Sequence, residues 1–579
     1  MSNRVNSCLV GLEAAVLILA AGASDIYAQA HARAGYEVWA ADQSNSVAGQ
    51  PLGTRGGLIW IWDSADIERQ VAGGPPAAPV GCDGNNSAHA SAGPCDMLAL
   101  FPASLAEHAS GRATGATLGT SVGFGRLHGL IPDPQNRYFT ANVFAPDGGY
   151  VGIIDARRKE AIALFRVTDM NVGRSVHMSF WKADGSGIIV ANLNGKTLER
   201  IDIARNPSGK IMQASFNRSA SLGLGKNMVV AASATVFLGR NHHNRPMLGR
   251  LTGTYTNADF GNLTGNGECK ENGCLDGPDA ALGGRPNNVV ICPIPSTLDK
   301  AYVTLGGGGL VVADLDATPM TIVGEYGNQV INGAGCAGAQ SGDQIWLNAG
   351  VSASAAGFNQ SAFTLYVLSD SAFGTTPNTP NLPLPQTAFK DPTNTSHLGN
   401  TDGAALANLT GQVPGITTRR DAHGAATTVD GVYVHNTDRI QNVVEVFDTR
   451  TIGARHAYDL TSADGQGGGV GPCLAASVTD DTALPLNDPA PDLLQATPDG
   501  RFMAVAFRGP APVSVNHSAQ GSCPGVGIVE LAPVGGSGRL VAVLRTTNTV
   551  DDAGTTSPGG VNYAGRERSD VHGVSVIAK

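Results

Sequence analysis

Residues Arg126 to Val167 read RLHGLIPDPQNRYFTANVFAPDGGYVGIIDARRKEAIALFRV. LHGLI is a short apolar run, PDPQNR is a turn, and YFTANVF, GYVGIID and AIALFRV follow, each with apolar residues at every second position. Period-two alternation is the mark of half-buried β-strands. Four such strands within about 40 residues are the period of one propeller blade.

Working outward, the same unit recurs. VHMSFW, GIIVANL and TLERIDI follow Arg174, and NNVVICP, KAYVTLG, GLVVADL and MTIVGEY run from Asn287 to Tyr326. DQIWLNA and FTLYVLS suggest a degenerate copy between Asp343 and Ser369. AHGAATT, GVYVHNT and NVVEVFDT give a further blade from Ala422 to Thr449, and PDLLQAT, RFMAVAFRG, GVGIVEL and RLVAVLR give one from Pro491 to Arg545. These are six blades. The seventh is split between the ends: YEVWAADQS and GLIWIWD lack an inner strand before them, and VHGVSVIAK has the inner-strand pattern with nothing after it. Pairing of these terminal segments closes the ring and removes the sheet edges that an open array would expose. The sequence thus predicts an all-β, seven-bladed β-propeller in a single domain, 31–579. Three stretches that break the repeat, near 73–120, 225–283 and 375–415, read as long surface insertions. Trp39, Trp60, Trp62, Trp181 and Trp346 fall on strands and are expected to pack between blades.

Bulk properties agree. The 579 residues contain 76 Gly and 32 Pro but only 15% charged residues, which suits many short strands joined by turns. A formal net charge of −10 without a basic run gives no electrostatic attraction for nucleic acid or an anionic membrane. Residues 1–30 carry Arg4, an apolar stretch from Cys8 to Ala21 and the small-x-small pattern Ala28-Gln29-Ala30, so they read as a signal peptide and the protein as periplasmic or secreted. Removing Cys8 leaves an even set of cysteines, for which the oxidising compartment predicts disulfides. Close spacing suggests Cys82 with Cys95 and Cys269 with Cys274, which leaves Cys292 with Cys336 and Cys473 with Cys523 as longer closures.

VYVHNTDRIQNVVEVFDT at Val432 to Thr449 and TPDGRFMAVAF at Thr497 to Phe507 resemble the YVTN-type bacterial propeller repeat, and the resemblance extends over most of the chain outside the insertions. It implies the fold and leaves function open, because the same architecture carries hydrolases, oxidases and binding scaffolds.

The chemistry lies where the inner strands begin. His128, His177, His423 and His572 stand at equivalent blade positions, with Asn287, Asn288, Cys336 and Asp492 near the corresponding places elsewhere. Superposed blades bring the four histidines to one end of the channel. Three are followed by glycine, which allows close backbone approach at the axis. Converging neutral imidazoles are ligands for a transition metal, copper first, then iron, zinc or nickel. Asp421 and Asp570 lie two residues before a histidine, on the same face of an extended strand, as candidate catalytic or ring-orienting carboxylates. Arg419, Arg420, Arg566 and Arg568 lie upstream, placed to bind an anionic small-molecule substrate. A single histidine at such a position is more often structural, and the pattern resembles that of YVTN-type propellers and seven-bladed lactonases, where the position need not imply a metal. Four at repeat-equivalent positions give the metal reading its weight. His242, His243 and His435 are lesser candidates for the channel, and His31 would become the amino terminus after cleavage.

No Walker loop, nucleophile elbow, H-E-x-x-H or EF-hand pattern occurs. The reading is therefore an exported metal-dependent oxidoreductase, with copper as cofactor and a general plan similar to the nitrous oxide reductase and thiocyanate dehydrogenase propellers. The alternatives are a lactonase-like hydrolase using a channel histidine as base, and a non-catalytic periplasmic binding scaffold.

Overall fold

The computed structural model describes residues 35–43, 57–82, 93–100, 127–255, 290–349, 363–390, 421–510, 521–548 and 567–579, apart from short internal gaps. The expected signal segment, His31, Cys269, Cys274, Asn287, Asn288 and Arg419, Arg420, Arg566 and Arg568 lie outside the described residues.

Seven sheets of at least four strands form the ring, antiparallel except for one strand added to blade 2. Blades 1 to 6 begin with the inner strands Leu127–Pro132, Val176–Trp181, Val290–Pro295, Gly338–Ser341, Ala422–Thr427 and Pro491–Ala496. Blade 7 takes its inner strand, Val571–Ala578, from the C-terminus and continues through Tyr36–Asp42, Leu58–Asp63 and Cys95–Asp96. Val38 pairs with Val576 and Ala40 with Val574, so the termini close the ring as the sequence predicts.

Each strand alternates because both sheet faces of a blade pack on neighbours, and the apolar clusters record this. Trp39 and Ile59 of blade 7 meet Phe139 and Leu164 of blade 1, Val151 of blade 1 meets Ile188 of blade 2, and Ile189 of blade 2 meets Val303 of blade 3. Blades 3 and 4 share Tyr302 and Ile345, blades 4 and 5 Trp346 and Val434, and blades 5 and 6 Val446 and Val505. Phe502 and Ile528 of blade 6 reach Trp62 and Val576 of blade 7. Every junction of the ring therefore has its own core. The five tryptophans all belong to these junctions. Helix Ser64–Val71 straps one junction from outside: the Asp63 carboxylate caps it by accepting from Ala65 N at 2.9 Å, and Gln70 donates to the Val543 carbonyl of blade 6 at 3.0 Å.

The insertions contain more of the sheets than their sequences suggest. Cys95–Asp96 is the outer strand of blade 7, and Gln386–Lys390, inside the stretch read as an insertion, is the outer strand of blade 4. Between 225 and 283, Thr235–Val236 extends blade 1 and Gly249–Thr252 adds a parallel strand to blade 2. Disulfides join Cys82 to Cys95, Cys292 to Cys336 and Cys473 to Cys523, as expected from the sequence. Among the described residues no helix is long and apolar enough to cross a membrane.

Candidate functional site

Each inner strand, or in blade 4 the segment just before it, delivers one chemistry-bearing residue to the axis. In blade order these are His128, His177, Cys292, Cys336, His423, Asp492 and His572, and all seven are buried. The delivery has a local cause. In six of the seven blades the pairing between inner and second strand slips at this point: between Leu127 and Gly129, for example, between Ala422 and Ala425, and between Pro491 and Leu494. A β-bulge of this kind re-aims a side chain that would otherwise follow the sheet face. The glycines after the histidines make room: a Cβ on Gly129 would meet the Met178 sulfur at 2.8 Å, and one on Gly424 would lie 2.9 Å from the Leu493 Cα.

Contacts run around the axis from His423 through Asp492, His572, His128 and His177 to the two cysteines. His128 lies edge-on to His177, ring centroids 4.3 Å apart, and stacks on His572 at 3.9 Å. His177 Nδ1 is 3.6 Å from both Cys292 Sγ and Cys336 Sγ, which are joined as a disulfide. His423 Nδ1 is hydrogen-bonded to Asp492 Oδ1, His572 Nε2 stands 3.9 Å from the same oxygen, and the His423 and His572 centroids are 5.1 Å apart. Two sets of ligand atoms are close enough to share an ion: His423, Asp492 and His572, and His177, Cys292 and Cys336, each within 4.8 Å of one another.

Electrostatics sets the protonation. Burial holds His572 well below the ordinary imidazole range despite Asp492, and the neighbouring His423, Arg508 and His177 add to the effect. Burial and Arg439 lower His423 in the same direction. Both rings are therefore neutral at neutral pH, the form that ligates a metal or accepts a proton. His572 Nδ1 lies 2.7 Å from the His128 carbonyl oxygen. A carbonyl can only accept, so Nδ1 carries the proton and Nε2 presents its lone pair toward Asp492. Burial opposes ionisation of Asp492, but the charge of Arg439 and the hydrogen bond from His423 favour the carboxylate, and the carboxyl lies well below the usual carboxylate range.

Asp421 and Asp570, expected to face the histidines, face guanidiniums instead. Asp570 receives a bidentate pair from Arg508, Nε to Oδ1 at 2.6 Å and Nη2 to Oδ2 at 2.8 Å, and Asp421 accepts from Arg439 Nε at 2.8 Å. The two arginines then reach Asp492 Oδ2, at 2.9 Å from Arg508 and 3.6 Å from Arg439. Asp421 and Asp570 thus hold the cations that hold Asp492. The carboxylates in this network outnumber its guanidiniums three to two. The sequence marked Asp492 only by its blade position and did not mark Cys292, which sits one residue deeper in its strand than the histidines do in theirs.

The lesser histidines lie elsewhere. His435 is a packing residue, its Nδ1 3.1 Å from the Tyr458 hydroxyl and its Nε2 donating to the Gly535 carbonyl at 2.8 Å, with burial lowering it to about 4. His242 donates from Nδ1 to the Leu100 carbonyl at 3.1 Å and stacks on His243. On the other side of the axial layer, toward the C-terminal ends of the inner strands, a cavity of about 450 Å³ is floored by Met178, Cys336 and Leu493 and edged by Gln340, Gln495 and Ser575.

No family model and no curated protein matches the chain, so membership in the YVTN-type family is not established. Solved structures similar over most of the length include a Bacteroides fragilis protein provisionally assigned as a 6-phosphogluconolactonase (10% identity, 94% of this chain and 98% of that chain, TM-score 0.41). A Lactobacillus plantarum protein (9%, 94% and 99%, 0.42) and a periplasmic gluconolactonase of Pseudomonas aeruginosa (9%, 94% and 99%, 0.40) are similar to the same extent. At these values the likenesses carry no argument about reaction or substrate, and the seven-bladed architecture stands on the chain's own strand pairing.

Proposed function

We propose that this chain is an exported, metal-dependent enzyme whose centre is the axial cluster, and that a small molecule reaches it through the 450 Å³ cavity. The observation that carries the reading is the meeting of His423, Asp492 and His572, with ligand atoms within 4.8 Å of one another and His128 stacked alongside. Neutral imidazoles with one carboxylate suit copper, iron, zinc or nickel. A redox metal here, copper first, would supply electron transfer to the bound molecule. The residues fit such an ion: the rings are neutral, the His572 tautomer leaves Nε2 as donor, and the surrounding network has one carboxylate more than it has guanidiniums.

A second reading is supported by one specific contact. His423 hydrogen-bonded to Asp492 is the arrangement of a general base held by a carboxylate, which is what a lactonase-like hydrolase needs, and it requires no metal. Metal analysis of untagged protein, before and after reconstitution with each ion, separates the two. Stoichiometric metal lost in His572→Ala, with oxidation activity that follows occupancy, supports the first reading. A chain that stays metal-free and hydrolyses lactones in the presence of chelator, with turnover abolished by His423→Ala, replaces it with the second.

A further inference from the structure

Of the three disulfides among the described residues, two join loops or blade junctions: Cys82–Cys95 ties the loop before blade 7's outer strand, and Cys473–Cys523 is buried in the core between blades 5 and 6. Cys292–Cys336 is placed differently. Its sulfurs lie on the axis in the layer of histidines, both 3.6 Å from His177 Nδ1, and Cys336 also lines the cavity. We propose that Cys292, Cys336 and His177 form a second, redox-gated seat for a soft transition metal, closed while the sulfurs are bonded to each other and opened by a dithiol reductant entering through the cavity.

The distances fit. A tetrahedral ion about 2.0 Å from an imidazole nitrogen and about 2.3 Å from a thiolate leaves a nitrogen–sulfur edge of about 3.5 Å. His177 Nδ1 already stands at that edge from each sulfur. Once the sulfur–sulfur bond is broken, the two sulfurs need only separate to about 3.8 Å, the sulfur–sulfur edge of the same tetrahedron. His128, 4.3 Å from the His177 ring and 3.9 Å from the His572 ring, stands between this seat and the imidazole–carboxylate seat. The chemistry balances: the dithiol passes two electrons and two protons to the disulfide and is itself oxidised to a cyclic disulfide. A divalent ion then displaces the two thiol protons to solvent. Two thiolates and an imidazole select a softer ion than histidines and a carboxylate do.

This seat goes beyond the imidazole–carboxylate reading and stands without it. Cobalt(II) is the probe, because sulfur-to-cobalt charge transfer absorbs in the near ultraviolet whereas imidazole ligation alone does not. Full-length protein is titrated with cobalt(II) as purified and after anaerobic dithiol treatment, with reduced thiols located by mass spectrometry. The expected result is one additional equivalent and a charge-transfer band in the reduced protein, both absent from Cys292→Ala/Cys336→Ala treated identically. If peptides 292 and 336 are reduced and no band appears, the proposal is overturned. Should the disulfide resist reduction, Cys336→Ser and Cys292→Ser each leave one thiol beside His177 without any reductant. The band is expected in whichever of them keeps the parent circular dichroism, and its absence overturns the proposal equally. Failure of the imidazole–carboxylate seat reads differently: the oxidised protein then binds no cobalt, while the reduced protein still gains one equivalent with the sulfur band.

Discussion

Asp492 divides its oxygens between opposite partners, Oδ1 toward His423 and His572 and Oδ2 toward Arg439 and Arg508. Arg508 is fully buried, and Asp492 and Asp570 compensate its charge. Replacing it by Met leaves two buried carboxylates short of their cation, a change that typically costs about 3–5 kcal/mol. The denaturant midpoint of Arg508→Met should fall accordingly, and an unchanged midpoint would show that the network contributes nothing. Glu199, away from the axial layer, contributes a pH dependence of its own. Burial pushes its carboxyl up to about 7, although the Thr168 N–H donates to it at 3.3 Å. Between pH 4.5, its ordinary value, and about 7 the folded chain holds a proton that the unfolded chain has lost. The contribution of Glu199 to stability therefore falls as pH rises through this window, by up to about 3 kcal/mol, while His435, lowered by burial to about 4, and the lowered His423 and His572 contribute in the opposite sense below pH 6.5. Relative to the parent, Glu199→Gln should gain stability with rising pH in thermal unfolding measured from pH 4.5 to 8, and a slope identical to the parent's would show that Glu199 contributes nothing to it.

At the scale of the strand, the bulge at the start of the inner strands decides what reaches the axis. Gly424 shows how tight the packing is, since a Cβ there would press on the Asp492 carbonyl and the Leu493 backbone of blade 6. Gly424→Ala should cost about 1–3 kcal/mol as overpacking and displace His423. Gly573→Ala, where the nearest atom is 3.3 Å away, should cost less. Melting temperatures of the two variants, with metal occupancy alongside, check the order, and equal effects would argue against close approach at Gly424. The inner, second and third strands of most blades were legible because period-two alternation is a local property. Gly338–Ser341, reading GAQS, and Gln386–Lys390, reading QTAFK, were not legible. Backbone hydrogen bonding recruits such segments to a strand already present, and it leaves no mark in side-chain pattern.

For the whole molecule, closure by the last strand is the main commitment of the chain. Val571–Ala578 is buried for almost its whole length, pairs with Tyr36–Asp42 and packs on blades 1 and 6. Its deletion exposes two junctions at once, with Val571, Val574, Val576 and Ile577 each contributing about 1.5–3 kcal/mol of burial, a sum comparable with the entire stability of about 5–15 kcal/mol of a typical domain. A chain ending at 570 should show no cooperative thermal transition. A permutant that begins with 571–579 and continues by a two-residue turn into Gly35 should recover it, because Lys579 N already donates to the Gly35 carbonyl at 2.8 Å. A transition in the truncated chain equal to the parent's would contradict this account of closure.

The sequence alone determined the repeat, the number of blades, the pairing of the termini and the four histidines at equivalent places, because each follows from a pattern that recurs along the chain. It also suggested Cys292 with Cys336, without placing that pair at the axis. Only the tertiary structure decided that Asp492 rather than Asp421 or Asp570 meets the rings, that Arg439 and Arg508 are held by carboxylates, and that two sulfurs complete the layer. Those outcomes depend on bulges and on contacts between residues as far apart as His128 and His572. Such contacts exist only once the seven inner strands have been drawn around one axis, and no local pattern records them.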